Sequence, residues 1–132
     1  MSAKTFVDTN VLLYMLSDDP RKASTVEQLL KRRPTISVQV LNEVVSVATR
    51  KLRMPLPEVL ELCQAVRRLC YVESITPDHH DLALSLMLRY HFGIYDSLIV
   101  ASALIAGCHK LCTEDLQHGQ VIMKQLKVEN PF

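Results

Sequence analysis

The sequence predicts an α/β domain, a small three-layer α/β/α sandwich built on a central parallel sheet. Three observations predict it. Short apolar triplets of strand-forming residues alternate with amphipathic helical stretches, and strands that alternate with helices imply parallel pairing covered on both faces. The stretch Leu98, Ile99, Val100, Ala101, Ala103, Leu104, Ile105 is apolar on nearly every side, as an interior helix must be. The chain is 132 residues long, the size of one ordinary domain, so residues 1–132 are read as a single unit.

The elements follow in order. Thr5-Phe6-Val7 reads as a short buried strand, and Val11 to Leu16 as a helix start. Asp19-Pro20 pairs an N-cap with proline at the first helical position, opening a helix to about Lys31 that Pro34 ends. Thr35 to Val38 is a second strand, and Val40 to Leu52 a long helix with one apolar face. Glu58 to Arg68 is a further helix, and Tyr71-Val72-Glu73 an edge strand. Thr76-Pro77-Asp78 starts a helix running to Tyr90, with Gly93 as its stop. Asp96 opens the interior helix and Gly107 ends it. Lys110-Leu111-Cys112 is a fourth strand, and Leu126-Lys127-Val128 a candidate fifth.

Composition excludes several function classes. The chain is 48% hydrophobic and 22% charged with a net charge of +1, which argues against disorder and against a wholesale polybasic nucleic-acid binder. Aromatics are 5% and Trp is absent, so an extended stacking platform for single-stranded RNA is not its main device. Cys63, Cys70, Cys108 and Cys112 lie in apolar context, and the closest pair has neither redox nor zinc-knuckle spacing; reduced, structural thiols are expected. The five histidines have no zinc-ligand spacing. Residues 1–16 lack the pattern of a signal peptide, and the apolar run from Leu98 to Cys108 is shorter than the ~20 residues of a membrane span. A cytoplasmic protein with no membrane partner is expected.

In open parallel sheets the functional crevice lies at the carboxyl ends of the strands. Phe6-Val7 runs directly into Asp8, and Lys110-Leu111-Cys112 into Thr113-Glu114-Asp115. Glu43 lies about a turn into the helix after the second strand, amid Val40, Leu41, Val44, Val45 and Val47. Asp96 stands at the start of the interior helix. Each acid alone has an ordinary explanation as a cap, a solvated helix residue or a loop acid. Four aimed at one sheet edge repel one another, and such a cluster persists when a cation neutralises it. An all-carboxylate site suits Mg²⁺ or Mn²⁺.

These residues also carry a resemblance. Phe6-Val7-Asp8-Thr9-Asn10-Val11-Leu12, the helical Glu43, Tyr95-Asp96-Ser97-Leu98-Ile99-Val100-Ala101 and Thr113-Glu114-Asp115-Leu116-Gln117-His118-Gly119 resemble the successive motifs of a PIN-domain ribonuclease. The likeness is to the VapC-type toxins of prokaryotic toxin–antitoxin pairs, and it spans essentially the whole chain. It implies that Asp8, Glu43, Asp96 and Asp115 form a catalytic, metal-holding quartet for Mg²⁺ or Mn²⁺, with Asn10 and Thr113 as supporting polar residues. Glu114 lies beside Asp115 and is the alternative that could share or substitute for its role. The resemblance further implies hydrolysis of RNA phosphodiester bonds, a cognate antitoxin and a homodimer.

The basic residues are unevenly placed. Residues 21–68 carry ten Lys/Arg and four acids, a net +6, while the remainder is −5. Lys31, Arg32, Arg33, Arg50, Lys51 and Arg53 are the candidates for a phosphate-tracking groove beside the acids. The competing readings are dipole-complementing charges at helix ends and, for the whole chain, an inactive RNA-binding or scaffolding module of the same fold. Phosphoryl transfer through Asp8 is disfavoured because Thr9-Asn10 follows instead of a second acid. No glycine-rich turn follows the first strand, which excludes a dinucleotide-binding domain.

Overall fold

The computed structural model describes residues 4–132. Six strands form one sheet in the order β3-β2-β1-β4-β6-β5, from β1 Thr5–Val7, β2 Thr35–Ser37, β3 Tyr71–Glu73, β4 Lys110–Cys112, β5 Val121–Ile122 and β6 Leu126–Glu129. All pairings are parallel except β5 with β6. The helices are α1 Thr9–Leu12, α2 Pro20–Lys31, α3 Val38–Arg50, α4 Leu56–Leu69, α5 Pro77–Tyr90 and α6 Ile94–Ile105, with a 3-10 turn over Leu13–Leu16. This is the expected α/β/α sandwich. Phe6, Val7, Ile36, Leu111 and Val128 of the strands are fully buried, as are Val11, Val26, Val40, Val44 and Val100 of the helices. Burying each such side chain contributes roughly 1.5–3 kcal/mol.

Local chemistry explains most boundaries. Asp19 caps α2 by accepting from the Arg21 and Lys22 amides. The helix expected from Val40 begins at Val38 instead, because Ser37 ends β2 and its hydroxyl accepts from Val40 N at 3.4 Å. Val38 is therefore helical, not the last residue of a strand. The helix expected to open at Asp96 begins at Ile94, with Gly93 as its N-cap. Gly93 thus does not stop α5; His91 does, in the left-handed region at φ 62. Strand β5 was not expected. It is two residues long and turns into β6 through Met123 and Lys124, both at positive φ. That is the backbone of a type I′ turn, made here without the Asn or Gly that normally signals one. The four cysteines are free, and Cys70, Cys108 and Cys112 are buried. No described helix is long and apolar enough to cross a membrane.

One topological feature positions the site. From β1 the chain steps outward to β2 and β3, then returns to place β4 on the other side of β1. The crevice between the loops after β1 and β4 is the switch point of the sheet, where open α/β folds bind ligands. Val7 is in register with Cys112, so Asp8 and Thr113 leave neighbouring strands at the same level.

Candidate active site

Asp8 is the N-cap of α1 and is 4% exposed. Its Oδ1 accepts from Thr9 N at 2.7 Å, and its Oδ2 accepts from Thr113 Oγ1 at 2.9 Å and Asn10 Nδ2 at 3.3 Å. The Thr113 hydroxyl also accepts from Asn10 Nδ2 and from Asp115 N. Asn10 Oδ1 accepts from Glu114 N at 3.2 Å. Asn10 and Thr113 thus stitch the β1 and β4 loops together. Side-chain bonds of this kind to loop amides are how Asn and Thr fix turns.

Glu43 reaches the same crevice from α3. Its Oε2 accepts from Thr9 Oγ1 at 2.9 Å, and its Oε1 accepts from Gln39 Nε2 at 2.6 Å. Gln39 Nε2 also donates to the Tyr95 carbonyl at 3.3 Å, tying α3 to the first turn of α6. Thr9 and Gln39 were not assigned roles from the sequence. Gln39 lies one helical turn before Glu43, the one local signal that it shares a face with it. The Gln39 amide has a cost: both its neighbours are acceptors, so Oε1 is buried without a partner, a penalty of ~1–3 kcal/mol.

Asp96 lies in the first turn of α6 and is not its cap. Its carboxylate has no hydrogen-bond or ion-pair partner among the described residues. One cavity of about 740 Å³ is lined by Asp8, Glu43, Asp96 and Asp115 together. Glu114 does not line it; its amide is bound to Asn10, and of the two neighbouring acids Asp115 is the one at the cavity wall.

The electrostatics reflect this crowding. Burial pushes the Asp8 carboxyl from 3.8 up to about 7; hydrogen bonds from Thr113 and Thr9 oppose the rise, and the charges of Glu43 and Asp115 add to it. Burial also raises Asp96, with Asp115 and Glu43 adding to the effect. Among the described residues the only ion pair is Lys110 with Glu129, so no basic side chain neutralises the four acids. In the structure's side-chain conformations, no three His, Cys, Asp or Glu among the described residues converge as a ready-made metal shell. The donor chemistry nevertheless fits a hard divalent cation: four carboxylates in one cavity, mutually repelling, with oxygen the only donor atom offered.

The basic candidates divide. Arg32 and Arg33 line a second cavity of about 660 Å³ with Lys4, Thr35, Tyr71 and Lys110, residues at the amino ends of β1 to β4. They therefore lie at the opposite sheet edge, not beside the acids, and Lys31 ends the helix that leads there. The reason is general to parallel crossovers: a helix feeding a strand must end where that strand begins. Arg33 is at φ 50 and its guanidinium sits 4.6 Å from the Tyr71 ring. Arg50 ends α3, and Lys51 and Arg53 belong to the α3–α4 connection, which feeds no strand. Arg50 continues the Gln39, Glu43, Ser46 stripe of α3 that lines the acidic cavity, one turn further on.

A family model of the PIN domain matches residues 5–121. The structure is similar to a chain of a toxin-antitoxin complex from Klebsiella pneumoniae, at 20% identity and a TM-score of 0.74 over 98% of both chains. It is similar to DNA-bound VapBC from Salmonella typhimurium, at 20% identity and a TM-score of 0.72 over 97% of this chain and 98% of that one. It is also similar to VapC20 of Mycobacterium tuberculosis, a sarcin-ricin loop cleaving toxin, at 20% identity and a TM-score of 0.67 over 85% of this chain and 92% of that one. No curated protein sequence matches. The structural likenesses speak to the fold, and the sequence match, which covers most of the chain, decides the family: this chain belongs to the PIN domain family.

Proposed function

We propose that the chain is a divalent-metal-dependent ribonuclease, the toxin of a toxin–antitoxin pair. One observation carries the reading: carboxylates from four separate segments, Asp8, Glu43, Asp96 and Asp115, line one cavity at the switch point of the sheet. The family and the toxin–antitoxin structures of similar fold support it. Asp8, Glu43, Asp96 and Asp115 would hold Mg²⁺ or Mn²⁺, which when bound neutralises the phosphodiester and makes water a stronger nucleophile. The chain's own residues hold the carboxylates in place. Asn10, Thr9 and Thr113 orient Asp8, while Thr9 and Gln39 hold both oxygens of Glu43. Asp96 and Asp115 are the two acids whose carboxylate oxygens are uncommitted among the described residues.

Arg50, Lys51 and Arg53 are proposed as phosphate contacts along α3. A cognate antitoxin, a homodimer and a cytoplasmic setting complete the reading. It is tested by incubating the purified chain with labelled total RNA, with Mn²⁺ and with excess EDTA. Cleavage only with the metal is expected, lost in Asp8→Asn, Glu43→Gln, Asp96→Asn and Asp115→Asn. Undiminished cleavage in EDTA refutes the metal reading. RNA binding without cleavage under any divalent ion selects the inactive-module alternative.

A further inference from the structure

The cavity lining is chemically mixed. With the four acids and the polar Gln39, Asn42 and Ser46, it carries an apolar set of wall residues, Val38, Ile75, Tyr95, Leu98 and Ile99. A phosphodiester and its cations need the acids and have no use for the apolar wall. Val38 and Ile75 are 40% and 38% exposed and Tyr95 is 70% exposed, so this wall faces an open cleft.

Tyr95 stands apart from every other aromatic ring of the chain. Phe6 is buried in the core. Tyr14 packs edge-on against Phe132, with the Lys22 ammonium over both rings. Tyr71 lies under Arg33, and Tyr90 stacks on Phe92 beside Arg89. Tyr95 has no ring or cation against it among the described residues. Its backbone is fixed, because its carbonyl accepts from Gln39 Nε2 and it lies in the first turn of α6, next to Asp96. A large, preorganised, solvent-facing ring at the lip of an acidic cleft leaves a π face unused.

Resting on the ribonuclease reading above, we propose that Tyr95 and the adjoining apolar wall form a subsite for one unstacked nucleobase flanking the phosphodiester that the acids engage. The chemistry selects this occupant. The ligand must be continuous with a phosphate and present a flat apolar face within one residue's reach of Asp96. A base splayed out of a single-stranded or looped RNA does both, and stacking on aromatic rings is how such bases are held. The contact tolerates any base, since every base has a π face.

The test has a binding arm and a cleavage arm. The chain has no Trp, so Tyr95→Trp introduces a single indole at the subsite. Its fluorescence is titrated in EDTA with a mixed-sequence single-stranded oligoribonucleotide, and with the same sugar–phosphate backbone lacking bases. Saturable quenching by the first and little by the second is expected. In the cleavage arm, Tyr95→Ala lowers kcat/KM on the intact RNA by roughly 5- to 150-fold, Tyr95→Phe stays within about twofold because the ring face is kept, and both leave the abasic backbone's rate unchanged. Equal quenching by the two ligands, or an equal loss on both substrates, overturns the proposal. So does a Tyr95→Ala variant that cleaves normally but escapes inhibition by a co-expressed antitoxin, which assigns the wall to a protein partner. Base-dependent quenching in a chain that cleaves nothing upholds the subsite and rejects the nuclease reading.

Discussion

Asp8→Asn in metal-free buffer turns the electrostatics of the cavity into a stability measurement. The folded protein holds the Asp8 proton more tightly than the unfolded chain does, with a pKa of about 7 against 3.8. Between those values the native state binds more protons than the unfolded state, so Asp8 makes stability fall as pH rises through the window. Its contribution is fully present below about pH 4 and lost above about pH 7, and the interval corresponds to roughly 4 kcal/mol. Asparagine stays neutral throughout and carries no such slope. It keeps an acceptor for Thr9 N but turns an amide toward Thr113 Oγ1 and Asn10 Nδ2, which both donate to Asp8 Oδ2 in the wild type; two hydrogen bonds are lost, about 1 kcal/mol each.

The variant is therefore expected to be less stable than wild type by about 1 kcal/mol at about pH 4.5 and more stable by roughly 2 kcal/mol at about pH 8.5. For a domain of this size that is a crossover reaching ~7 °C in Tm. Urea and thermal denaturation of both proteins are followed by circular dichroism across that range, in EDTA at fixed ionic strength, and the wild-type curve is subtracted. The subtraction removes every group common to the two proteins. Added Mn²⁺ works in the opposite sense, stabilising wild type by about 2.7 kcal/mol at a hundredfold excess over its dissociation constant, and the variant by less. A difference curve that stays flat from acid to alkaline pH would falsify the claim that an uncompensated charge sits at Asp8.

Further outcomes are expected. Asp115→Asn lowers RNA cleavage by at least about tenfold, whereas Glu114→Gln leaves it within about twofold because its side chain is off the cavity; a gel-based cleavage assay that reverses this order reassigns the acid. Replacing Arg50, Lys51 and Arg53 with Gln reduces the salt slope of RNA binding by roughly one per lost phosphate contact, while Arg32→Gln with Arg33→Gln leaves it unchanged. Filter binding across a salt series reads both, and a slope moved by the second pair but not by the first places the RNA at the other sheet edge. Gln39→Met removes the orphaned acceptor along with the Glu43 and Tyr95 tether, so stability holds or rises by ~1 kcal/mol while kcat falls; a variant that melts lower with unchanged kcat makes Gln39 a purely structural residue.

Strand and helix positions were legible because their signals are local. Asp19-Pro20 reads as a cap and first turn whatever the rest of the chain does, and the all-round apolar Leu98–Ile105 predicts an interior helix, which holds for Ile99, Val100, Ala101 and Ala103 but not for Ile105, exposed at the end of α6. Where a signal depended on a neighbour, the reading slipped. Val38 has strand propensity, but the Ser37 cap draws it into α3. Met123 and Lys124 give no sign of a turn because their positive φ is imposed by pairing Ile122 with Leu126. His91, not Gly93, takes the left-handed position after α5.

The site divides in the same way. Asp8 and the Thr113-Glu114-Asp115 segment were legible because each follows a strand directly, and strand ends of a parallel sheet share an edge. By itself, then, the sequence determined the α/β class, the strands that carry the site and the acids available to it. Only the tertiary structure decided that β1 and β4 are neighbours in register, so that Asp8 meets Thr113. It also decided that Asp115 and not Glu114 lines the cavity, and that Arg32 and Arg33 lie at the far edge. It left Tyr95 as the exposed ring with neither a ring nor a cation against it among the described residues. Propensity and capping act within a few residues, and the sequence records them there; side-chain direction and contact across 34 to 105 residues of chain, as between Thr9 and Glu43 or Asp8 and Thr113, come only from how the layers pack.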